Sequence, residues 1–339
     1  MSGPSAHQAR PPTQATQAAQ AAQAAQAEGS REPSNPNWAD EPERSNAMAL
    51  RVMGWIAVVC GRRLARVVLA GIALYFVVFA ARQRRASRRY LARALGREAG
   101  WRDGYRHVFA FAATVLDRVY FLRERTAWLD LRVRGAEHVD ACLASGRGAF
   151  LMGSHIGSFE ALRVTGRDRP ELDITMLMYP DNARKINAAL QALAPGASPR
   201  IIALGRPEAM LAVRERLEAG GLVGVLADRT LPGAESQRGG VVWLPFLGRP
   251  APFSDGPFRL AELLRQRVVF MVGLYAGGRT YDVRFEPLAD FSERLRDPAA
   301  RAARLQAAMQ AYVAQLESLC REHPDNWFNF HDFWHEDAA

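Results

Sequence analysis

Lysine is almost missing from this sequence: of 44 basic residues only Lys185 is a lysine, and the rest are arginine. Cysteine is scarce as well. Cys60, Cys142 and Cys320 are widely spaced, with no C-x-x-C or C-x-C pattern, so zinc and thioredoxin-like readings lose their usual support. A reducing compartment fits better than a disulfide framework. No apolar run reaches the ~20 residues of an unbroken membrane span, which disfavours a polytopic membrane protein. The polar amino terminus has no apolar h-region, so no cleavable signal peptide is expected. No long-period repeat is visible. What is present, 49% hydrophobic and 23% charged residues over a length of 339, excludes a collagen-like, mucin-like or wholly disordered chain. It suffices for one large α/β domain or two small ones.

The composition divides the chain into three parts. Residues 1–45 are rich in Gln, Ala, Pro and Ser, and Gln17 to Ala27 repeats Gln-Ala-Ala. Alanine favours helix, but nothing here offers an apolar face to bury, so a disordered, transiently helical tail is expected. Residues 46–106 hold thirteen arginines against two acids, Glu98 and Asp103. The whole chain carries +9, so its basic character is local to this part. These arginines flank two apolar runs, Val52 to Cys60 and Val67 to Ala81. The second would form a helix about 22 Å long, short of a ~30 Å hydrocarbon core. The expectation is an N-terminal membrane-anchoring helix lying in or dipping into one leaflet, with arginines on anionic headgroups; extended by Leu64, Ala65 and a snorkelling Arg66, the run could just span. A buried core helix is the alternative. Nucleic acid is not expected as a partner, because Trp55, Tyr75, Phe76 and Phe79 lie inside the apolar runs.

Residues 107–339 read as one globular α/β domain. Strand-sized apolar runs are Ala149 to Gly153, Ile174 to Met178, Ile201 to Leu204, Leu222 to Ala227, Val241 to Phe246, Val268 to Leu274 and Tyr281 to Phe285. Helical patterns lie between several of them: Phe159 to Thr165, Ala183 to Leu193, Glu208 to Ala219 and Pro257 to Leu264. The alternation implies a mostly parallel sheet flanked by helices, with ligands beyond the carboxyl ends of the strands.

The chemistry concentrates in Gly148 to Arg163, GAFLMGSHIGSFEALR. A strand runs into a turn containing Gly153 and Gly157, and then into a helix. His155 lies on the turn and Glu160 five residues later. Inside a regular helix this spacing would leave the two about 140° apart. With His155 on the turn and Glu160 in the first helical turn they can meet. A carboxylate on imidazole Nδ1–H fixes the tautomer and leaves Nε2 as a base. A nucleophile elbow would carry serine at the centre of G-x-S-x-G. Here the centre of Gly153-x-His155-x-Gly157 is the base itself, so the nucleophile is expected from a substrate, as in direct acyl transfer to a hydroxyl. Other candidates are Asn182, Arg184 and Lys185 after a Pro180-Asp181 turn, able to hold phosphate or carrier groups. Asp228-Arg229 ends a strand, as a structural ion pair or as part of the site that positions His155 or the acceptor. Trp327, Phe328, Phe330, Phe333 and Trp334 read as core, and His331 as structural. His7, His107, His138, His323 and His335 have no constellation around them.

His155-x4-Glu160 after a strand resembles the H-x4-D/E block of the lysophospholipid acyltransferase superfamily, and within it the branch of the late lipid A acyltransferases. Ala227-Asp228-Arg229, Gly239-Gly240-Val241 and Leu244-Pro245-Phe246-Leu247-Gly248 resemble that branch's A-D-Q... G-V... V-P-F-F-G segment. Pro252 to Leu264 resembles its following helix, and Pro324-Asp325-Asn326-Trp327 with His331 its terminal block. A narrower set, predicted acyltransferases found in part in aryl polyene lipid clusters, is matched by Leu116-Asp117-Arg118, Gly157-Ser158-Phe159-Glu160 and Asn326-Trp327-Phe328-Asn329-Phe330 with Phe333-Trp334. The resemblance spans roughly residues 50–335. It implies a glycerolipid acyltransferase-like fold and a donor thioester on acyl carrier protein or coenzyme A. It also implies a lipid acceptor, no metal or other cofactor, and a place on the cytoplasmic face of a bacterial inner membrane. His155 would be the general base and Glu160 would orient it. Backbone N–H groups at Gly157 and Ser158 would hold the oxyanion. The lipid A enzymes end in a basic H-R-R-F/W-type cluster, but this sequence has His331-Asp332-Phe333-Trp334. An aspartate there suits a doubly phosphorylated acceptor poorly, so another lipid or a polyketide-like acceptor is expected. Two other classes stay open on the residues alone: a serine hydrolase or thioesterase using Ser154 or Ser158, and a non-catalytic module that binds lipid or carrier protein.

Overall fold

The sheet is built from the most continuously apolar segments. Strands β2 (Ala149–Gly153) and β5 (Leu222–Leu226) bury almost every residue, the mark of central parallel strands covered on both faces. The computed structural model describes residues 56, 59–123, 125–165, 174–178, 200–204, 207–230 and 240–334. Seven strands form the main sheet in the order β1-β9-β8-β2-β5-β3-β4. They comprise β1 (Asp130–Arg134), β3 (Ile174–Met178), β4 (Ile201–Ala203), β8 (Arg267–Gly277) and β9 (Thr280–Asp290) beside the central pair. From β8 to β4 every pairing is parallel. β9 turns back antiparallel on β8, and β1 joins β9 in parallel. The expected mostly parallel sheet is therefore present, with one antiparallel hairpin toward an edge. Two expectations change. Val241–Phe246 is not in this sheet: as β6 it pairs antiparallel with β7 (Arg249–Ser254) in a separate two-stranded sheet. Leu247 and Gly248 turn that hairpin at positive φ, the geometry whose twist matches the flanking strands. The helix placed at Pro252 to Leu264 begins only at Gly256, because 249–254 is strand.

Side chains alternate across β2, so its two faces meet different layers. Phe150 and Met152 point into a core with α2 (Ala81–Leu95), α6 (Pro207–Glu218), α7 (Gly256–Leu263), α8 (Pro298–Glu322) and the hairpin aromatics Phe246 and Phe253. Ala149 and Leu151 point into a second core with α1 (Gly61–Phe79), α3 (Trp101–Leu122), α4 (Ala136–Ala144) and α5 (Phe159–Thr165).

The arginine-rich segment is woven into these layers. Ala65, Leu69, Ala73 and Val77, four residues apart, form the buried stripe of α1. Arg62 reaches Asp117 of α3 with Nε and Nη2 at 2.7 and 2.8 Å, and the Tyr281 hydroxyl donates to the same carboxylate at 2.8 Å. Arg66 donates to the Tyr275 hydroxyl at 2.9 Å. Arg84 donates to the Val77 and Val78 carbonyls at the end of α1. Arg93 lies over the Trp334 ring at 4.1 Å. Arginines expected on lipid headgroups thus have partners inside the protein. The other face of α1 is apolar and exposed: Val67 is 69% and Phe79 65% accessible, and Leu64, Leu74, Tyr75 and Val78 are exposed as well. Among the described residues no single helix is long and apolar enough to cross a membrane. α1 and α2 together have the length and composition, but they meet at 93°. The 1–45 tail and the helix expected at Ala183 to Leu193 lie outside the described residues.

Candidate active site

The parallel pairing of β2 and β5 decides what His155 meets. Gly153 is in register with Leu226. Two residues beyond each lie His155 and Asp228, side by side at the carboxyl edge of the sheet. Asp228 Oδ1 is 2.8 Å from His155 Nδ1, and Oδ2 accepts the His155 backbone N–H at 2.9 Å. The Trp327 indole N–H donates to the same Oδ2 at 3.0 Å. The carboxylate is 1% exposed and has three donors. Burial alone would raise its pKa. His155, Arg229 and Trp327 outweigh that and hold it well below the usual carboxylate range, so it is ionised at neutral pH. An ionised carboxylate accepts only, so Nδ1 carries the proton. Burial and then the Arg229 charge lower the His155 pKa, against the raising effect of Asp228. Among the described residues Nε2 has no hydrogen-bond partner, and the side chain is 32% exposed. The imidazole is thus neutral at pH 7, with a fixed tautomer and its lone pair on Nε2.

The turn around His155 is pinned from two sides. The carboxyl-terminal segment after α8 runs antiparallel to it: Ile156 bridges Trp327, Gly157 N–H donates to the Asn326 carbonyl at 2.8 Å, and Phe328 N–H donates to the His155 carbonyl at 2.9 Å. On the other side Ser158 N–H donates to the Gly273 carbonyl of β8 at 2.7 Å. Gly157 sits at φ +68°, and a Cβ there would collide with that carbonyl, so only glycine passes. Asn326 in turn holds the end of β8: its Oδ1 accepts from Tyr275 N–H at 2.7 Å and its Nδ2 donates to the Tyr275 carbonyl at 3.1 Å.

A cavity of about 170 Å³ opens at this edge. His155, Gly157, Ser158, Glu160 and Arg229 line it, with Phe111, Val115 and Arg118 of α3 opposite and Leu162, Leu226, Met271 and Phe328 as apolar wall. Of the residues singled out from sequence, the structure brings His155, Gly157, Ser158, Glu160, Asp228 and Arg229 together. Asn182, Arg184 and Lys185 lie outside the described residues.

Two expected roles do not match the geometry. Glu160 does not face the imidazole: its Oε1 is 2.6 Å from Arg118 Nε, and Asp228 occupies Nδ1. Glu160 lies in the first turn of α5, past the turn that carries His155, whereas β5 delivers Asp228 directly beside it. The Gly157 and Ser158 N–H groups are committed to backbone carbonyls and are not free for an oxyanion. The serine alternative lacks a contact: Ser158 Oγ accepts from Ala161 N–H at 3.4 Å, and neither Ser154 nor Ser158 bonds the His155 ring among the described residues. Sequence reasoning missed three residues. Arg118 stood in the Leu116-Asp117-Arg118 mark without a role. Trp327 reads as core and is core, but its indole N–H also serves Asp228. His107 is wholly buried, 2.8 Å from Ser87 Oγ and 2.8 Å from the Trp327 carbonyl, and so braces the same segment.

A parallel α/β sheet presenting a buried carboxylate–imidazole pair at the mouth of a partly apolar cavity fits the class of α/β enzymes. The chain matches the model of the bacterial lipid A biosynthesis acyltransferase family over residues 41–336 and belongs to that family. It is therefore an acyltransferase of lipid biosynthesis, and the family implies an acyl donor and a lipid acceptor. No curated protein matches the sequence.

Proposed function

We propose that this chain is a membrane-associated O-acyltransferase that moves a fatty acyl group from a thioester, on acyl carrier protein or coenzyme A, to a lipid or glycolipid hydroxyl. His155 is the general base. The observation that carries this is the Asp228 carboxylate on Nδ1 at 2.8 Å, which leaves Nε2 of a neutral imidazole as the base on a cavity-lining side chain. Nε2 takes the proton of the acceptor hydroxyl as its oxygen attacks the thioester carbonyl. When the tetrahedral intermediate collapses, the C–S bond breaks and the leaving thiolate takes the proton from His155. The new C–O bond is the ester. Asp228 holds the imidazole and balances its transient cation; Trp327 holds Asp228. No resident metal or redox cofactor enters these steps.

The exposed apolar face of α1 supports seating in one leaflet of the bacterial inner membrane, on the cytoplasmic side where the donor thioesters are made. The acceptor is of the kind handled by the acyltransferases of aryl polyene lipid clusters rather than doubly phosphorylated lipid A. At the carboxyl-terminal block Asp332 pairs with Arg89 at 3.9 Å and Arg93 lies over the Trp334 ring, so the two α2 arginines that reach this block already have partners within the protein. The test is mass spectrometry of total lipids from native-background cells carrying the wild-type chain or His155→Ala. A lipid that gains one acyl chain only with wild type identifies the product. Identical profiles, with both proteins folded and membrane-bound, would sink lipid acylation.

A further inference from the structure

One charged pair in the cavity takes no part in holding the imidazole. Glu160 is 8% exposed, and its Oε1 meets Arg118 Nε at 2.6 Å; both side chains line the cavity with His155. Acyl transfer through a tetrahedral intermediate builds negative charge on the thioester oxygen, and a donor preorganised toward that oxygen is usually the largest single catalytic effect. The backbone donors beside the base are spent, Gly157 N–H on Asn326 and Ser158 N–H on Gly273. Arg118 has the chemistry they lack: a permanent cation with five N–H donors, of which the Glu160 contact uses Nε. Its placement is also rigid. The preceding residue, Asp117, is fully buried and held by Arg62 and Tyr281, which fixes the rotation of α3 and turns the next side chain toward the cavity. Arg229 lines the cavity too, but it follows Asp228 directly, next to the imidazole.

We propose that Arg118 is the cation that receives the donor's carbonyl oxygen as it becomes an alkoxide, and that Glu160 is the positioning residue that holds Arg118 in place. This rests on the acyl-transfer reading above. As the acceptor oxygen bonds to the carbonyl carbon, the C=O electron pair moves onto the oxygen facing Arg118. It returns when the C–S bond breaks. Arg118 exchanges no proton.

The experiment uses the full chain in membranes, with myristoyl-acyl carrier protein and myristoyl-coenzyme A as parallel donors. Arg118→Ala is expected to lower kcat about 10²- to 10³-fold with a much smaller change in the donor KM. Added guanidinium should restore part of that loss, and Arg118→Lys should keep part of the activity. Glu160→Gln should lower kcat in the native background and cost nothing further in Arg118→Ala, since both changes remove one device. Glu160→Asp should recover some of it. A readout without substrate is the pH dependence of diethyl pyrocarbonate modification of His155, followed by peptide mass spectrometry. Asp228→Asn should shift it and Glu160→Gln should not. The proposal falls if Glu160→Gln shifts that profile as Asp228→Asn does, if Arg118→Ala keeps its kcat, or if guanidinium restores nothing to the folded variant. Arg118→Gln replaces the alanine variant should that one fail to fold. Loss of acylation with His155→Ala but not with Arg118→Ala sinks only this proposal. Acylation retained with His155→Ala sinks His155 as the base, and no acylation by the wild-type chain sinks the acyl-transfer reading itself.

Discussion

Asp228→Asn separates geometry from proton placement. Two of the three groups facing the Asp228 carboxylate, the His155 backbone N–H and the Trp327 indole N–H, can only donate, and both meet Oδ2. An asparagine must turn its single carbonyl oxygen toward that pair, which aims its NH₂ at His155 Nδ1. The imidazole then has to accept at Nδ1, and its proton moves to Nε2, where no lone pair is left to take a hydroxyl proton. The side chain keeps its shape and all three contacts, so the stability loss should stay within about 1–3 kcal/mol. The wrong tautomer should cost about 10⁴-fold in kcat, the size known for the same change in a serine-protease triad, or about 5 kcal/mol of transition-state stabilisation. The pH profile adds a sign. Wild-type activity falls on the acid side as His155 protonates, below the ordinary histidine value because burial and Arg229 oppose the cation. Asp228 favours that cation, so its removal moves the residual acid limb further toward acid. The assay is lipid acylation across pH with the melting temperature as control. A folded Asp228→Asn within about threefold of wild type would refute the reasoning. So would a Glu160→Gln variant showing the same loss and the same acid shift.

Other expectations follow from the braces around the site. Trp327→Phe removes the indole donor to the buried Asp228 carboxylate and leaves a smaller ring in a fully buried site, so it should cost about 3 kcal/mol of stability and a share of kcat, checked by melting and transfer assays. Burial lowers the His107 pKa from 6.5 to about 4, against the raising contact with the Trp327 carbonyl. Its unfolded counterpart binds a proton near pH 6.5 while the folded residue stays neutral. Stability should therefore drop by about 3 kcal/mol as pH falls from 6.5 toward 4, and His107→Gln should remove that part of the slope in denaturant titrations. Asp117→Asn weakens a buried partner of Arg62 and should cost about 3 kcal/mol or more, with α1 released first in limited proteolysis. Val67→Glu with Val78→Glu changes two exposed positions of α1, so the melting temperature should hold while the protein shifts from the membrane to the soluble fraction. Retention in the membrane would contradict the seating of that face.

Much of the fold was legible because central parallel strands bury both faces and show as unbroken apolar runs. The readings at Ala149–Gly153, Ile174–Met178 and Phe159–Thr165 coincide with β2, β3 and α5. β1 and β7 were not seen. β1 is the half-exposed edge sequence DLRVR, and β7, RPAPFS, carries two prolines on a two-stranded hairpin. Such strands are set by their neighbours rather than by their own pattern. The candidate base was legible for a local reason too: Gly153 and Gly157 bracket His155 on a turn between a buried strand and a helix.

The sequence by itself determined that turn, the helix after it, the mostly parallel α/β class and the concentration of arginine beside apolar runs, since each depends on residues within a few positions of one another. Only the tertiary structure decided the partners. Asp228 reaches His155 across 73 residues because β5 lies in register beside β2. Trp327 reaches Asp228 across 99 because the chain returns after α8 to cover the turn. Arg62 meets Asp117 because α1 packs on α3. Glu160 goes to Arg118 for the same kind of reason: a carboxylate in a low-dielectric interior pairs with the cation that packing brings to it, whatever its distance along the chain.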